Sequence, residues 1–398
     1  MVGSGAREHA LAWRLARSPK LTELHAAPGN PGIAALGRCH PVRADDADGL
    51  LALSVTLDAD LVVIGPEGPL VAGIADHLRR NGITVFGPSA DAARIEGSKT
   101  FAKDVMREAG VPTAETLAVA RTPCVVKADG LAAGKGVFVC RTAQELDEAL
   151  RAVQQYEGGV VIEELLDGRE VSLFALSDGH RAVPLGAAQD FKRIGDGDTG
   201  LNTGGMGAYS PVPWLADADE LVTRIHQPIV DELARRGTPF VGCLFAGLMV
   251  TNDSFKVLEF NARFGDPETQ VLMPLLESDL VETLARAAHG DLGSEGLALS
   301  GAAAVTVVLA GPEYPIRSDY AGAAIAGIEA AEASGALVFH GGTAVRGGTI
   351  VTNGGRILSV TGTGGTVAEA RAHAYAAAGM IRFEGVRHRT DIAAAVDG

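Results

Sequence analysis

The amino-acid sequence predicts an α/β protein with a doubly wound parallel sheet at the N-terminus and a small α+β domain at the C-terminus. Three observations lead there. Leu61–Ile64 is a continuous apolar run, as expected of a strand buried on both faces of a parallel sheet. Runs of this kind alternate with helical patterns across Gly- and Pro-rich turns, in βαβα order. Beyond about Gly301 the pattern changes to strands, a hairpin signal and one long helix.

Composition narrows the function classes. Hydrophobic residues are 47% of the 398, enough for buried cores in two to four domains of roughly 100–200 residues. The net charge of −15 argues against broad binding to nucleic acid or anionic membranes, so local Lys and Arg clusters are candidates for anionic small molecules. The 51 glycines show no collagen-like period and point to turns and backbone-lined ligand sites. Cys39, Cys124, Cys140 and Cys243 form no CxxC pair, so reduced thiols are expected rather than disulfides or zinc. With no cationic–apolar leader and no apolar run of ~18 residues, the chain is expected to be soluble and cytoplasmic, without membrane or nucleic-acid partners.

In chain order, Met1–Val2 reads as the end of a strand, Gly3–Gly5 as a turn, and about Glu8–Arg17 as a helix with Leu11, Ala12, Leu15 and Ala16 on its apolar face. Gly3-x-Gly5 before a helix is an anion-binding arrangement. Glu8 takes the third glycine place of GxGxxG, and Pro28–Gly29–Asn30 rather than an acid follows the next strand, Leu21–Ala27. That argues against a dinucleotide and leaves a mononucleotide, a sugar phosphate or a plain βα turn. Leu61–Ile64 runs into Gly65–Leu70 and a helix to about Arg80, and Thr84–Phe86 closes the unit. Glu67 is either a contact for a substrate amine or hydroxyl or an acid at a helix N-terminus. Ser98–Ala109 is helical, and its Lys99 and Lys103 read as a solvated face.

Two glycine-rich stretches follow. The strand Pro123–Lys127 opens into Val125–Gly136, VVKADGLAAGKG, and returns along Val137–Cys140. Consecutive N–H groups of such a loop can wrap a phosphate chain, with Lys127 and Lys135 as point charges. It is not a Walker A loop, because Gly136 stands where Ser or Thr is needed; an ordinary glycine hairpin is the alternative. After a helix at Ala143–Val153, the strand Val160–Ile162 leads to Glu163–Leu166, a hinge that could offer backbone hydrogen bonds to a purine. Further strands are expected at Glu170–Phe174 and Ala182–Leu185. The second stretch, Gln189–Tyr209, is a long polar loop with Asp190, Lys192, Arg193, Asp196, Asp198, Asn202 and Thr203, and its apolar flanks favour a functional role.

Gly247–Val250 and Phe255–Phe260 read as a hairpin across Asn252–Asp253. Alternation puts Val257, Glu259 and Asn261 on one face. The carboxylate and amide suit Mg²⁺, though a half-exposed strand edge would suit the same residues. Arg263 follows, ahead of Gly265–Glu268, and fits bidentate phosphate or carboxylate binding. In the C-terminal domain, Ala302–Leu309 and Ala336–His340 read as strands, Thr349–Val360 as a hairpin across Asn353–Gly354, and Thr366–Ile381 as a helix. The functional signal there is weak, and His340 and His388 read as surface or structural histidines.

Taken together, GAREHAL (5–11), APGNPG (27–32), GPEGPLVAGIAD (65–76), EGSKTFAKD (96–104), VVKADGLAAGKG (125–136), EELLDGREVSLF (163–174), QDFKRIGDGDTGLNTGGMGAYSP (189–211) and VLEFNARFGDPETQ (257–270) resemble the glycinamide ribonucleotide synthetase family of the ATP-grasp superfamily. The resemblance spans nearly the whole chain. It implies an ATP-grasp fold with a substrate domain at 1–97, a catalytic domain at 98–298 carrying a flap subdomain at about 112–168, and a C-terminal α+β domain at 299–398. It also implies ATP-dependent joining of glycine to 5-phosphoribosylamine through glycyl phosphate, the second step of de novo purine biosynthesis.

By the same resemblance, Lys99, Lys127, Gly130, Gly134, Lys135 and Gly136 bind the ATP phosphates, Glu163, Glu164 and Leu166 the adenine, and Glu170 the ribose. Glu259 and Asn261 hold Mg²⁺ or Mn²⁺. Arg263 steadies the acyl phosphate, and Lys127, Asp190 and Lys192 complete the catalytic set. Asn202, Thr203, Gly204, Gly205, Met206, Gly207, Arg263 and Asp266 meet the substrates, with Gly5, Asn30, Pro66 and Glu67. The implied partners are small molecules acting on a monomer. Two departures stand out: a first strand shorter than the family's, and a Thr116–Thr122 stretch too short for the helix expected between Pro112 and Pro123. Within the superfamily, carboxyaminoimidazole ribonucleotide synthases and biotin carboxylases are the rivals; GDGDTGLNTGGMGAY (195–209) favours the first reading.

Overall fold

The computed structural model describes residues 1–131, 136–156, 158–251 and 254–396. Gly134 and Lys135, and the expected turn at Asn252–Asp253, lie outside the described residues. In the N-terminal unit, Val2–Gly3 pairs in parallel with His25–Pro28, which pairs with Arg38–Cys39. Val62–Val63 pairs in parallel with Val85–Phe86, and a Val2–Ile64 bridge joins the two groups, as the βαβα order requires. Leu21–Leu24 lies outside the second strand. The first helix starts at Ala6, earlier than expected, because extended Gly5 is its N-cap and the Glu8 carboxylate reaches back to accept the Gly5 N–H. The helix expected after Gly65–Leu70 is two, Glu67–Val71 and Ile74–Arg80, parted at Gly73 with its φ of 80°.

The centre is an eight-stranded antiparallel sheet in the order Phe255–Asn261, Val241–Val250, Arg169–Asp178, Ala182–Asp190, Gly207–Ser210, Ala303–Ala310, Arg356–Gly364, Leu337–His340. The last three strands come from the C-terminal part of the chain, so one sheet runs through both regions. One apolar core follows it, from Val2 and Leu78 through Leu173 and Val257 to Val305 and Val360. A satellite antiparallel sheet of Val137–Cys140, Cys124–Ala128 and Val160–Glu164 has its own small core of Cys124, Val126, Cys140, Leu146 and Ala149.

Two expectations are corrected. Gln189–Tyr209 is not an open loop: Arg193–Gly195 pairs with Thr199–Asn202, and Gly207–Ser210 enters the central sheet. Thr349–Val360 is not a hairpin. Thr349–Asn353 pairs with Thr343–Arg346 and Ala321–Ala324, while Arg356–Gly364 crosses into the central sheet. The chain changes sheets at Gly354, so close to Gly342 that a Cβ would lie 2.8 Å from its Cα. No helix forms between Pro112 and Pro123; Thr116 instead bridges to Glu163. Among the described residues no helix is long and apolar enough to cross a membrane.

Candidate active site

The satellite sheet brings a lysine to the edge of the central sheet. Lys127 lies on a strand that is buried throughout, with its Nζ 2.7 Å from Glu163 Oε2. The same ammonium donates to the Leu258 carbonyl at 3.0 Å, next to Glu259. The flap lysine and the Glu259 strand are therefore in direct contact. Lys103 corrects its reading as a solvated residue: it is 14% exposed, lies 2.8 Å from Glu163 Oε1 and donates to the Ala114 carbonyl at 2.5 Å. One buried carboxylate is thus divided between two ammoniums. The strand carrying it runs on to Glu164, whose carboxylate pairs with Lys256 at 2.5 Å, with Leu166 half-buried beyond.

Lys99 donates to the Gly130 carbonyl at 3.1 Å. Asp129, unread in the sequence, takes the Lys99 N–H at 2.6 Å and the Thr100 hydroxyl at 2.6 Å, tying the flap to a helix N-terminus. Burial works against its charge, but these bonds hold its carboxyl below the usual range.

Glu259 is half-buried and its carboxylate makes no hydrogen bond among the described residues, while Asn261 Oδ1 accepts from Arg263 Nη2 at 3.3 Å. A register shift at Leu258 interrupts the expected alternation, so Val257 sits wholly in the core and does not share the open face. Nearby, Lys192 Nζ lies 2.6 Å from Glu170 and 2.8 Å from Asp190. Burial raises the Glu170 pKa against the pull of Lys192, and the Asp190 and Glu259 carboxylates push the same way. Glu268, not singled out in the sequence, is pushed up to about 7 by burial and by Asp190. An open carboxylate beside an amide oxygen, among crowded acids, is a donor set that fits a hard divalent cation.

At the N-terminal loop the expected anion-binding arrangement is already filled by the chain itself. Gly5 N donates to Glu8 Oε2 at 2.6 Å, and Arg7 Nε to Glu8 Oε1 at 2.6 Å. Cβ atoms on Gly3 and Gly65 would lie 2.6 and 2.2 Å from Glu8. Those glycines make room for a carboxylate. Asn30 is likewise engaged, donating to the His340 and Ser4 carbonyls and accepting the Ile33 N–H. Pro66 is the N-cap of Glu67–Val71. The Glu67 carboxylate faces Arg263 Nε at 3.4 Å and Arg7 Nη1 at 3.7 Å. Against the push of burial, Arg263 and Arg7 bring its pKa down to about 2. Arg263 also lies 3.4 Å from Glu96, which accepts the Ala262 N–H at 2.7 Å. Arg7 and Glu96 were not expected here.

The second glycine-rich stretch is held in part by bonds within itself. Thr203 N and Oγ1 both donate to the Lys192 carbonyl, Gly205 N donates to Thr203 Oγ1, and buried Met206 donates to the Phe191 carbonyl. Gly207 and Asp190 lie on neighbouring strands, and Asn202 ends the short ribbon. Arg356 and Tyr314, also unread in the sequence, reach Gly204 from the C-terminal region. A cavity of about 270 Å³ lies between Gly5, Asp266, Tyr314, Gly342, Arg356 and Ser359. His340 is structural, as expected: buried, its N–H donates to His9 Nδ1 at 2.8 Å, and burial lowers its pKa to about 4. His388 is exposed.

Residues 1–96, 97–269 and 304–395 match, in turn, the N domain, the ATP-grasp (A) domain and the C domain of phosphoribosylglycinamide synthetase. The chain is 52% identical to a phosphoribosylamine–glycine ligase of Streptomyces coelicolor over 416 aligned residues, covering 100% of this chain and 99% of that one. Among solved structures, the phosphoribosylamine–glycine ligase of Thermotoga maritima superposes with a TM-score of 0.84 at 34% identity, covering 98% of both chains. A biotin carboxylase of Campylobacter jejuni shares the fold alone, with a TM-score of 0.68 at 14% identity over 97% of this chain and 92% of that one.

Proposed function

The chain belongs to the phosphoribosylglycinamide synthetase family, and from that premise we propose how its cleft works. The protein is an ATP-dependent ligase that joins glycine to 5-phosphoribosylamine in purine biosynthesis. A glycine carboxylate oxygen attacks the γ-phosphorus, the bond to the β,γ-bridging oxygen breaks, and ADP leaves. The amine of phosphoribosylamine then attacks the glycyl carbonyl, loses a proton, and phosphate departs. Both steps move negative charge, so catalysis is chiefly positioning and electrostatic stabilisation.

Lys127 and Lys99 neutralise the triphosphate, with Gly130, Gly136 and, by the sequence reading, Gly134 and Lys135 also binding its phosphates. The Glu163–Leu166 segment receives adenine and Glu170 the ribose. Glu259 and Asn261 hold Mg²⁺ or Mn²⁺, which when bound supplies further charge neutralisation at the phosphates. Arg263 steadies the acyl phosphate with its planar fork. Asp190, Lys192, Asp266 and the Asn202–Gly207 turn meet the substrates, with the phosphosugar reaching toward Gly5, Asn30, Pro66 and Glu67. The units work as a substrate domain (1–97), an ATP-grasp domain (98–298) and a C-terminal domain (299–398), as a monomer in the cytoplasm.

The observation that supports this reading most is the 3.0 Å bond from Lys127 to the Leu258 carbonyl, beside Glu259. The test is ADP and phosphate release with glycine and freshly generated phosphoribosylamine, omitting each in turn. Full release is expected only with both. Release with bicarbonate in place of glycine would move the protein to the carboxylase class, and ATP binding without glycine-dependent phosphate release would make it a nucleotide-binding regulator.

A further inference from the structure

Two side chains of the C-terminal region hold the Gly204–Gly205 turn, part of the stretch read as meeting the substrates. Arg356, the first residue of a central-sheet strand, sends Nη1 to the carbonyls of Gly204 at 2.5 Å, Asp266 at 2.8 Å and Gly205 at 3.3 Å. Its Nη2 bonds Asp266 Oδ2 at 2.9 Å. Tyr314 Oη accepts the Gly204 N–H at 2.9 Å. Both backbone groups of Gly204 are thus bound by residues more than a hundred positions away in the chain. Gly204 and Gly205 have no side chains with which to define their own course. A Cβ on Gly205, where φ is +107°, would lie 2.4 Å from Pro267 Cδ, and one on Gly204 would lie 3.0 Å from Arg356 Cζ. The Arg356–Asp266 pair is largely shielded, with side chains 24% and 19% exposed, so its bonds are less weakened by water than those of a surface pair. All three carbonyls are reached by Nη1 alone, and the second arm of the planar fork, Nη2, takes the Asp266 carboxylate at the same time; the single nitrogen of an ammonium cannot supply both arms.

We propose that Arg356 and Tyr314 are positioning residues that fix the Gly204–Gly205 turn and Asp266 in the geometry that receives phosphoribosylamine. The C-terminal region then completes the substrate site, although it lies far in sequence from the nucleotide motifs. This inference rests on the reading of Asn202–Gly207 and Asp266 as a place where the substrates are met, and narrows it to phosphoribosylamine.

Arg356→Lys keeps the charge and removes the fork. It is expected to raise KM for phosphoribosylamine about tenfold, the scale of lost charge-assisted hydrogen bonds, with the ATP KM unchanged. Tyr314→Phe removes only the acceptor for Gly204 and is expected to raise the same KM by a smaller factor, about threefold. In Arg356→Ala, added guanidinium is expected to restore part of the lost affinity. A wild-type phosphoribosylamine KM in both Arg356→Lys and Tyr314→Phe overturns the inference. So does an equal rise in the KM of every substrate together with a lower denaturation midpoint, the signature of a purely structural arginine. Asn202→Ala leaves both anchors intact and tests the underlying reading separately. If it does not raise the phosphoribosylamine KM, the turn is removed from the site and the inference with it. If it raises that KM while the two anchor variants stay normal, the site stands and the inference alone fails.

Discussion

The two sides of the cleft carry charge by different means. On the side proposed for the nucleotide, Lys103 and Lys127 flank one buried carboxylate, Glu163, at 2.8 and 2.7 Å. On the side proposed for the phosphosugar, Arg7 and Arg356 bind backbone as well as carboxylates: Arg7 the Phe264 carbonyl, Arg356 the carbonyls of Gly204, Gly205 and Asp266. An ammonium is a point charge that can exchange a carboxylate for a phosphate oxygen without rebuilding the chain around it. A guanidinium fixes direction as well as charge. The first side is therefore suited to a ligand that arrives and leaves with its own charge. The second is suited to holding one geometry. Changes on the nucleotide side should register in turnover and ATP use, and changes on the other in stability and in the fit of the phosphosugar.

The largest expected effect is on the nucleotide side. Glu259→Ala should lower turnover at least ~10²-fold, the scale of one preorganised electrostatic group. Steady-state kinetics at saturating ATP checks it, and a near-normal rate would remove Glu259 from the cation site. On the other side, Gly65→Ala places a methyl 2.2 Å from Glu8 Oε1 and must push that carboxylate from the Gly5 N–H and Arg7. A loss of about 2 kcal/mol is expected in chemical denaturation, the usual range for overpacking. An unchanged midpoint would mean that Glu8 is not fixed there.

Lys127→Ala is expected to raise the ATP KM at least about tenfold while the phosphoribosylamine KM holds, the scale of one lost charge-assisted contact. Unchanged ATP kinetics would make this lysine structural and blur the contrast between the two sides. The remaining effect is confined to acid. Glu67 has a pKa of about 2 in the folded protein against 4.5 as the ordinary value. The unfolded chain therefore binds the extra proton between those values. The stability Glu67 contributes is complete above about pH 4.5 and is lost as pH falls toward 2. Glu67→Gln should flatten that part of the denaturation profile; a profile matching wild type would contradict the Arg7–Glu67–Arg263 arrangement.

What could be read in the sequence follows the same division. The flap strand with Lys127 and the Glu259–Asn261 strand end were readable because their chemistry sits in short local patterns of strand, glycine and charge. Lys103 was misread because the segment that buries it, around Ala114, has no regular pattern of its own. Glu8 could be seen only as a missing glycine, since its place is made by Gly65, far along the chain. The ribbon at Arg193–Asn202 is glycine-rich and polar, so it shows no alternation to mark its strands. Asn353–Gly354 carries a strong hairpin signal, yet close approach to Gly342 sends the next strand into another sheet. Arg356 and Tyr314 could not have been found, because nothing near them in sequence resembles the turn they hold.

The most direct test of carboxylate activation between Lys127 and Glu259 uses glycine whose carboxylate carries heavy oxygen, turned over with ATP and phosphoribosylamine. Phosphate bearing one heavy oxygen from glycine is the expected product. Unlabelled phosphate, formed at the same rate as the ligated product, would contradict it.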